Sequence, residues 1–365
     1  MRVLLLSHVA PPHIGGVENV VALEAEAFRD AGHDVVWITS DGTGDGRAPT
    51  EGERLRIVRV PSLHLLERWF GICYPFYAPS ILWHLWREIG RADLVHLHGM
   101  VFVGSPFAAL FARMRGRRCL LTEHSGLLRY PSRLATWSLR LLVETVGRFT
   151  TRCARKLIAL NRDAEDLLVR LSGNPAKVRF LPNPVDVAMF QPPTPEQRRA
   201  ARAELGWDDR PRVLSVGRLL PHKGIDVLLD AQQPSFELVF CGPGEDAVRQ
   251  RIRERGAVCL EPRPREQILT LYHAADVFAL PSHNEGFPVV IQEALACGLP
   301  VVTSDLPAYA PYRGTPGLHL VEPTAPVVQQ RVLELLARDA ATAAVRGSDG
   351  RIEKWLDDLL AEGAA

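Results

Sequence analysis

Short apolar runs alternate with stretches of helical periodicity along the whole chain, and this alternation restricts the fold more than any other feature of the sequence. The first series of runs is Arg2 to Ser7, Val35 to Thr39, Arg56 to Val60, Leu94 to His98, Cys119 to Thr122, Lys156 to Leu160 and Val178 to Leu181. Each is too short for a stable helix and apolar at most positions, which is the pattern of a strand buried on both faces. Strands that alternate with helices give a parallel sheet with crossover helices, and such a sheet binds its ligands beyond the carboxyl ends of its strands. The pattern then restarts with Arg212 to Val216, Leu238 to Cys241, Ala257 to Leu260, Val277 to Leu280, Val301 to Thr303 and Leu318 to Val321. Between the two series lie Leu181-Pro182-Asn183-Pro184-Val185-Asp186 and the polar, proline-bearing run Gln191 to Pro195. A chain of 365 residues is long for one core and comfortable for two. The expected architecture is α/β, with two doubly wound parallel-sheet domains at 1–186 and 187–350. A last helix at 351–361 carries Ile352, Leu356 and Leu359 or Leu360 as its apolar stripe.

The run Asp276 to Leu280 leads into Pro281-Ser282-His283-Asn284-Glu285-Gly286-Phe287-Pro288-Val289-Val290-Ile291-Gln292-Glu293, and a helix is expected to open at Pro288. Unpaired backbone N–H groups of Gly286, Phe287 and Val289 at that start, with the helix dipole behind them, suit a phosphate. Glu285 lies at the mouth of the site, and Glu293 is roughly 12 Å further along at helical rise. Val289, Val290, Ile291, Ala294, Leu295, Ala296 and Cys297 leave that helix almost no polar face, so a carboxylate at Glu293 needs a partner; a sugar diol supplies two hydroxyl donors without adding charge. Arg218 and Lys223, in Gly217-Arg218-Leu219-Leu220-Pro221-His222-Lys223-Gly224, stand at a second strand-end helix start, where two cations can neutralise a departing diphosphate. Gly15-Gly16 before the helix Val20 to Ala31 lets backbone approach a phosphate closely. Gly42-Thr43-Gly44-Asp45-Gly46 lacks the ending of a phosphate-binding P-loop and reads as a mobile loop.

Other chemistries find less support. Residues 1–190 hold 24 Lys and Arg against 18 Asp and Glu, and residues 191–365 hold 19 against 24, so the halves carry opposite net charge. No basic helix, zinc spacing or aromatic RNA-binding motif accompanies the positive half, which argues against nucleic acid. The six cysteines have no paired spacing and read as reduced core thiols. No apolar run approaches a membrane span, and Met1 to Ser7 is too short for the apolar region of a signal peptide, so a cytoplasmic location is expected. His96 and His98 face one side of a strand and His124 ends the next, but the sequence offers no convincing further ligand, and no metal is expected. The absence of an Asp-any-Asp pair near a phosphate loop points the same way.

Glu285 and Glu293, set in PSHNEGFPVVIQEALACGLPVV with ADVFALPS before them, resemble the signature of the retaining glycosyltransferases of family 4. The resemblance implies the GT-B fold, two Rossmann-like domains facing across a cleft, and a last helix that crosses back to the first domain. It implies that Glu285 holds hydroxyls of a donor sugar and Glu293 the ribose of its nucleotide. Gly217, Arg218, Lys223 and Gly224 resemble the family's diphosphate clamp, and Gly15-Gly16-Val17-Glu18 its glycine loop. Arg263, within Glu261-Pro262-Arg263-Pro264, occupies the loop that contacts the base through its backbone, although the usual glycine is missing. DLVHLHG and LTEHSG resemble the strand ends lining the cleft, which puts His98 and His124 on the acceptor side. Proline at 184 replaces a usual glycine and stiffens the hinge.

The implied catalytic set is His124, Arg218, Lys223 and Glu285, with Gly286, Phe287, Pro288 and Val289 completing the donor site. The implied activity is transfer, with retention, from a UDP- or GDP-linked sugar to a hydroxyl of a glycan, lipid-linked or small-molecule acceptor. The nucleotide sugar is a co-substrate, and no tightly bound cofactor is expected. A sugar-nucleotide 2-epimerase and a non-catalytic sugar-nucleotide-binding protein are the alternatives.

An anionic membrane surface is the last expected partner. On a helix from about Ser132 to Ala154, Arg133, Arg140, Arg148, Arg152 and Arg155 share a stripe with Trp137 and Leu141, while Ala135, Leu139, Leu142, Val146 and Phe149 fill the opposite face. Trp69, Phe70, Tyr74, Phe76, Tyr77, Trp83 and Trp86 cluster nearby in sequence. Aromatic rings beside cations suit a lipid–water interface.

Overall fold

The computed structural model describes residues 1–11, 16–41, 51–66, 74–124, 133–283, 285–337 and 352–364. Two compact units form, Met1–Pro184 with Ile352–Ala365, and Val185–Arg351.

In the first unit the strands β1 (Arg2–Leu6), β2 (Asp34–Ser40), β3 (Leu55–Val60), β6 (Leu94–His98), β7 (Arg118–Glu123), β8 (Lys156–Ala159) and β9 (Val178–Phe180) form a parallel sheet of order β3-β2-β1-β6-β7-β8-β9. Alternation along β1 shows why the strand is apolar from Val3 to Leu6. Leu4 and Leu6 pack on one face with Ile81, Leu85 and Ala109 of the helices Ser80–Ile89 and Gly104–Met114. Val3 and Leu5 pack on the other face with Val21 and Phe28 of the helix Gly16–Asp30. That second face is completed by the last helix, Ile352–Ala364, through Trp355, Leu356 and Leu359, and Glu362 pairs with Arg179 and Lys156 at 3.1 and 3.4 Å. Trp355 thus joins the stripe read from the sequence.

A two-residue antiparallel ladder, β4 (Ser62–Leu63) with β5 (Phe76–Tyr77), is too short to leave a periodic signal. The segment read as one helix around Ser132 to Ala154 is interrupted. Arg133–Leu142 passes through a π-helical turn, Val143–Gly147, into Arg148–Cys153. The extra residue in that turn rotates Arg148–Cys153 about the helix axis. Val143, Gly147, Thr150 and Thr151 face inward, and Phe149, expected inside, is exposed.

The second unit repeats the design. Its strands β10 (Arg212–Val216), β11 (Glu237–Cys241), β12 (Val258–Leu260), β13 (Val277–Leu280), β14 (Val301–Ser304) and β15 (Leu318–Val321) form a parallel sheet of order β12-β11-β10-β13-β14-β15. In each sheet the direction of progression reverses beside the first strand, between β1 and β6 and between β10 and β13. Ligand crevices of doubly wound sheets lie at such reversals. Cys119, Cys241 and Cys297 are buried free thiols, and burial raises all three, Cys119 to about 12 and Cys241 to about 11.

Candidate functional site

In the second unit, the chains after β10 and β13 bring two of the expected donor-site residues, Lys223 and Glu285, together. After β10 the chain makes a single 3-10 turn, Pro221–Lys223, and leaves it through Gly224 at φ +76°, a left-handed conformation that disfavours side chains. Gly224 is pressed on the chain after β13, where a Cβ on it would lie 2.1 Å from the Pro281 carbonyl oxygen. Beside that contact His283 N–H donates to the His222 carbonyl at 2.8 Å. These ties set Lys223 against Glu285, and the two side chains form an ion pair with 16% and 14% of their surface exposed. Sequence reasoning placed both residues at the site but did not identify them as each other's partners. Arg218 is exposed, on a loop held by Leu219 N–H donating to the Pro243 carbonyl at 2.7 Å.

The helix after Glu285 starts at Val289, with Pro288 as its cap at ψ 138°, one residue later than the sequence suggests. Residues up to Pro288 are therefore not helical, and a helical rise does not apply to the whole span from Glu285 to Glu293. No described hydrogen bond uses the N–H groups of Gly286, Phe287 or Val289. Phe287 is buried, stacked on Tyr312 at 3.5 Å and edge-on to Tyr309 at 5.1 Å, so an aromatic clamp absent from the sequence reading holds the turn that presents them. Burial, and then the Glu285 charge, push the Tyr309 hydroxyl far up.

Glu293 is buried, as its helix required, and it has protein partners. The Tyr272 hydroxyl donates to Oε2 at 3.2 Å, and the Arg265 guanidinium stands 3.8 Å from Oε1. Burial raises the Glu293 carboxyl against the pull of Arg265 and Tyr272. Oε1 has no close donor among the described residues, so it is open to a ligand hydroxyl. Arg263 donates to Gln267 at 3.2 Å on the loop after β12. That loop is fastened to the loop after β11 by the buried Arg249, which donates to the carbonyls of Gly242 at 2.9 Å and Leu260 at 3.2 Å.

In the first unit, Gly16 opens the helix Gly16–Asp30, and among the described residues no atom beyond its chain neighbours and its own helix lies within 4 Å of a Cβ added to it; Gly15 and the Gly42–Gly46 loop lie outside the described residues. After β1, His8 stacks on Phe102 at 3.9 Å, and Tyr77 donates to the carbonyls of Ser7 and His8. His98 Nδ1 is 3.1 Å from Nε2 of His124, which is partly exposed.

Glu24 was missed by the sequence reading, and the signal was there: it interrupts the Val20, Glu24, Phe28 stripe on the apolar face of its helix. Its Oε1 is 2.5 Å from His96 Nδ1 and its Oε2 is 3.1 Å from His98 Nε2. The structure therefore supplies the third group that the sequence did not, and among the described residues Glu24, His96 and His98 bring potential metal ligands within 4.8 Å of one another. The arrangement fits hydrogen bonding better than coordination. His96 has both ring nitrogens engaged, Nε2 lying 2.7 Å from the Thr122 hydroxyl, and a 2.5 Å contact is tighter than two ligands about 2 Å from a shared ion would make. Burial alone would raise the Glu24 carboxyl, but the charges and hydrogen bonds of His96 and His98 hold it at about 2.

Comparison with known proteins gives a consistent picture. Residues 15–184 match a family model described as a glycosyl transferase 4-like domain, and residues 197–336 match glycosyl transferases group 1. The chain is 34% identical over 169 residues, 41% of its length, to a D-inositol 3-phosphate glycosyltransferase of Mycolicibacterium gilvum, of which the match spans 36%. It is 26% identical over 314 residues, 81% of its length, to the GPI3 subunit of phosphatidylinositol N-acetylglucosaminyltransferase of Saccharomyces cerevisiae, of which the match spans 66%. Matches thus cover from about a third to just under two thirds of these curated relatives. Among solved structures, HepE of Anabaena in complex with UDP superposes with a TM-score of 0.77 at 18% identity, covering 99% of each chain. A sucrose-phosphate synthase from Thermosynechococcus elongatus gives 0.70 at 22%, covering 100% of this chain and 96% of that one. At these identities the structures show a shared fold, that of GT-B enzymes.

Proposed function

The chain belongs to the group 1, family 4 glycosyltransferases, and on that premise we propose that it moves a sugar, with retained configuration, from a nucleotide diphosphate donor to an acceptor hydroxyl. The observation that carries this reading is the Lys223–Glu285 pair at the sheet reversal, beside a helix start whose first N–H groups have no partner among the described residues. Lys223, Arg218 and that helix start neutralise the charge growing on the departing diphosphate, Glu285 holds donor-sugar hydroxyls, and Oε1 of Glu293, beside Arg265, takes a ribose hydroxyl. The Glu261–Pro264 loop, fastened by Arg249, faces the base. HepE has been solved with UDP, with UDP and glucose, and with UDP-glucose, which favours a UDP-linked donor. The relatives are named for transfer to an acceptor, which favours transfer over epimerisation.

A fixed cationic clamp removes the need for a metal at the diphosphate. UDP in excess is expected to raise the melting temperature by about 5–10 °C, as a ligand at about 100 times Kd contributes about 2.7 kcal/mol. The rise should be equal in EDTA and in magnesium. No shift with UDP, GDP or ADP would remove the donor-site reading, and a shift that needs magnesium would remove the metal-free account.

We assign the acceptor to an anionic membrane surface. The helices Ser80–Ile89, Gly104–Met114 and Arg148–Cys153, all on one face of the first sheet, expose Trp83, Trp86, Met114 and Phe149, and the neighbouring Arg133–Leu142 exposes Trp137 and Leu141. Arg115 lies over the Trp86 ring at 3.9 Å and Arg87 over Trp83 at 4.8 Å, a pairing suited to the headgroup region. Arg148 is spent on Glu144, at 2.6 Å, so Arg140, Arg152 and Arg155, all exposed, carry the charge of this stripe; the Arg133 side chain, Trp69 and Phe70 lie outside the described residues. No described helix is long and apolar enough to cross a membrane. The cytoplasmic leaflet, with its anionic lipids, is the surface this face fits. Sedimentation with phosphatidylserine vesicles at low salt is expected to bring the protein down, and Arg140→Glu with Arg152→Glu to weaken binding about tenfold. Unchanged binding of that variant, or none by the parent chain, would favour a soluble acceptor.

A further inference from the structure

Glu24 is fully buried, and the transfer proposed above makes no use of it. Resting on the acceptor-side reading of His124, the geometry points to Glu24 as a positioning residue that works through His98 to hold His124 in one tautomer, leaving Nδ1 as the proton acceptor for the incoming hydroxyl. The assignment follows from donors and acceptors once His98, whose basicity burial and His96 lower, is neutral. Glu24 Oε1 lies 2.5 Å from His96 Nδ1, which therefore carries a proton, and His96 Nε2 lies 2.7 Å from the Thr122 hydroxyl. Glu24 Oε2 faces His98 Nε2 at 3.1 Å, off the line of a full hydrogen bond, and two lone pairs at that distance would repel, so His98 Nε2 is protonated as well. His98 Nδ1 is then an acceptor, and the group 3.1 Å away, His124 Nε2, must donate. Only Nδ1 of His124 is left with a lone pair.

The groups facing His124 agree with this order. Burial, then His98, His8 and His96, lower its basicity, and Glu24 alone opposes them. His98 is likewise lowered by burial and by His96 and supported by Glu24. Burial weakens both imidazoles as bases, beside a carboxylate that its histidine partners hold low. In the transfer step the acceptor oxygen bonds to the anomeric carbon, and the sugar–diphosphate bond breaks with its electron pair leaving on the diphosphate. The hydroxyl proton moves to His124 Nδ1 and is later released to water or to the diphosphate. The imidazolium so formed is two contacts from the Glu24 charge, in the manner of a buried carboxylate that orients a catalytic imidazole.

The decisive experiment reads the tautomer by nitrogen NMR of the histidine rings, independently of any turnover. His124 is expected as the Nε2–H form in the parent chain, with that preference lost in Glu24→Gln. In transfer assays the same variant should lose 10- to 100-fold in kcat with donor KM unchanged. Its acid limb, where activity falls as the base is protonated, should move to lower pH, because a charge that raised the basicity of His124 is gone. Glu24→Asp, which keeps the charge, should recover part of the rate. An Nδ1–H tautomer in the parent chain overturns the relay even if Glu24→Gln fails to fold, and an unmoved tautomer and acid limb in a folded Glu24→Gln reduce Glu24 to packing. Absence of transfer from every nucleotide sugar would sink the proposed function while the tautomer still decides the relay.

Discussion

Lys223→Ala is expected to lower kcat for sugar transfer by 100- to 1000-fold, about 3–4 kcal/mol of transition-state stabilisation, with the circular dichroism spectrum unchanged. Lys223 ends a single turn, belongs to neither apolar cluster of its unit, and finds its charge partner on the chain after β13, so the apolar core is left intact. What is lost is a fixed positive charge where diphosphate charge develops. The pairing adds a second expectation that neither residue gives alone. Removing Lys223 leaves Glu285 without its ion-pair partner, and removing Glu285 frees Lys223, so the effects of Lys223→Ala and Glu285→Ala should fail to add by at least about 1 kcal/mol in the double variant. Near-normal rates in Lys223→Ala would remove the leaving-group role from the whole strand-end turn.

The parts of this molecule that the sequence announces are those decided by local pattern. Val277 to Leu280 coincides with its strand because a run apolar on both faces, bounded by turn residues, has few other places to go. Glu293 was legible as a buried carboxylate in need of a partner, but Tyr272 and Arg265 were not legible as partners, since they lie on another helix whose register only packing sets. Glu24 shows the same limit from the other side. Its place on an apolar stripe was visible, whereas its meeting with His96 and His98, 72 residues away for His96, depends on the pairing of β1 with β6. The π-helical turn at Val143–Gly147 escapes a reading at 100° per residue because one extra residue leaves composition untouched and only rotates the next helical face.

The second large effect is expected at Gly224, where the same contact serves stability and chemistry. Gly224→Ala must place a Cβ 2.1 Å from the Pro281 carbonyl oxygen and 2.7 Å from its carbon, and both obstacles are backbone that cannot turn aside as a side chain would. The positive φ adds its own cost of about 1–2 kcal/mol for a left-handed alanine. Gly116 separates the two contributions, because it has φ +62° and, among the described residues beyond its chain neighbours, no atom within 4 Å of an added Cβ, so Gly116→Ala carries only the backbone term. Gly224→Ala should therefore cost about 2 kcal/mol or more beyond Gly116→Ala, read as the difference in urea midpoints at equal slope. Relief of the clash has one direction open to it, separation of the chain after β10 from the chain after β13. That separation breaks the 2.8 Å bond between His283 and His222 and draws Lys223 from Glu285. Donor KM should rise with the loss of stability in Gly224→Ala and remain unchanged in Gly116→Ala. Equal midpoints for the two variants would mean that the strand ends are not held together by this contact, and the ion pair would then need another reason for its position.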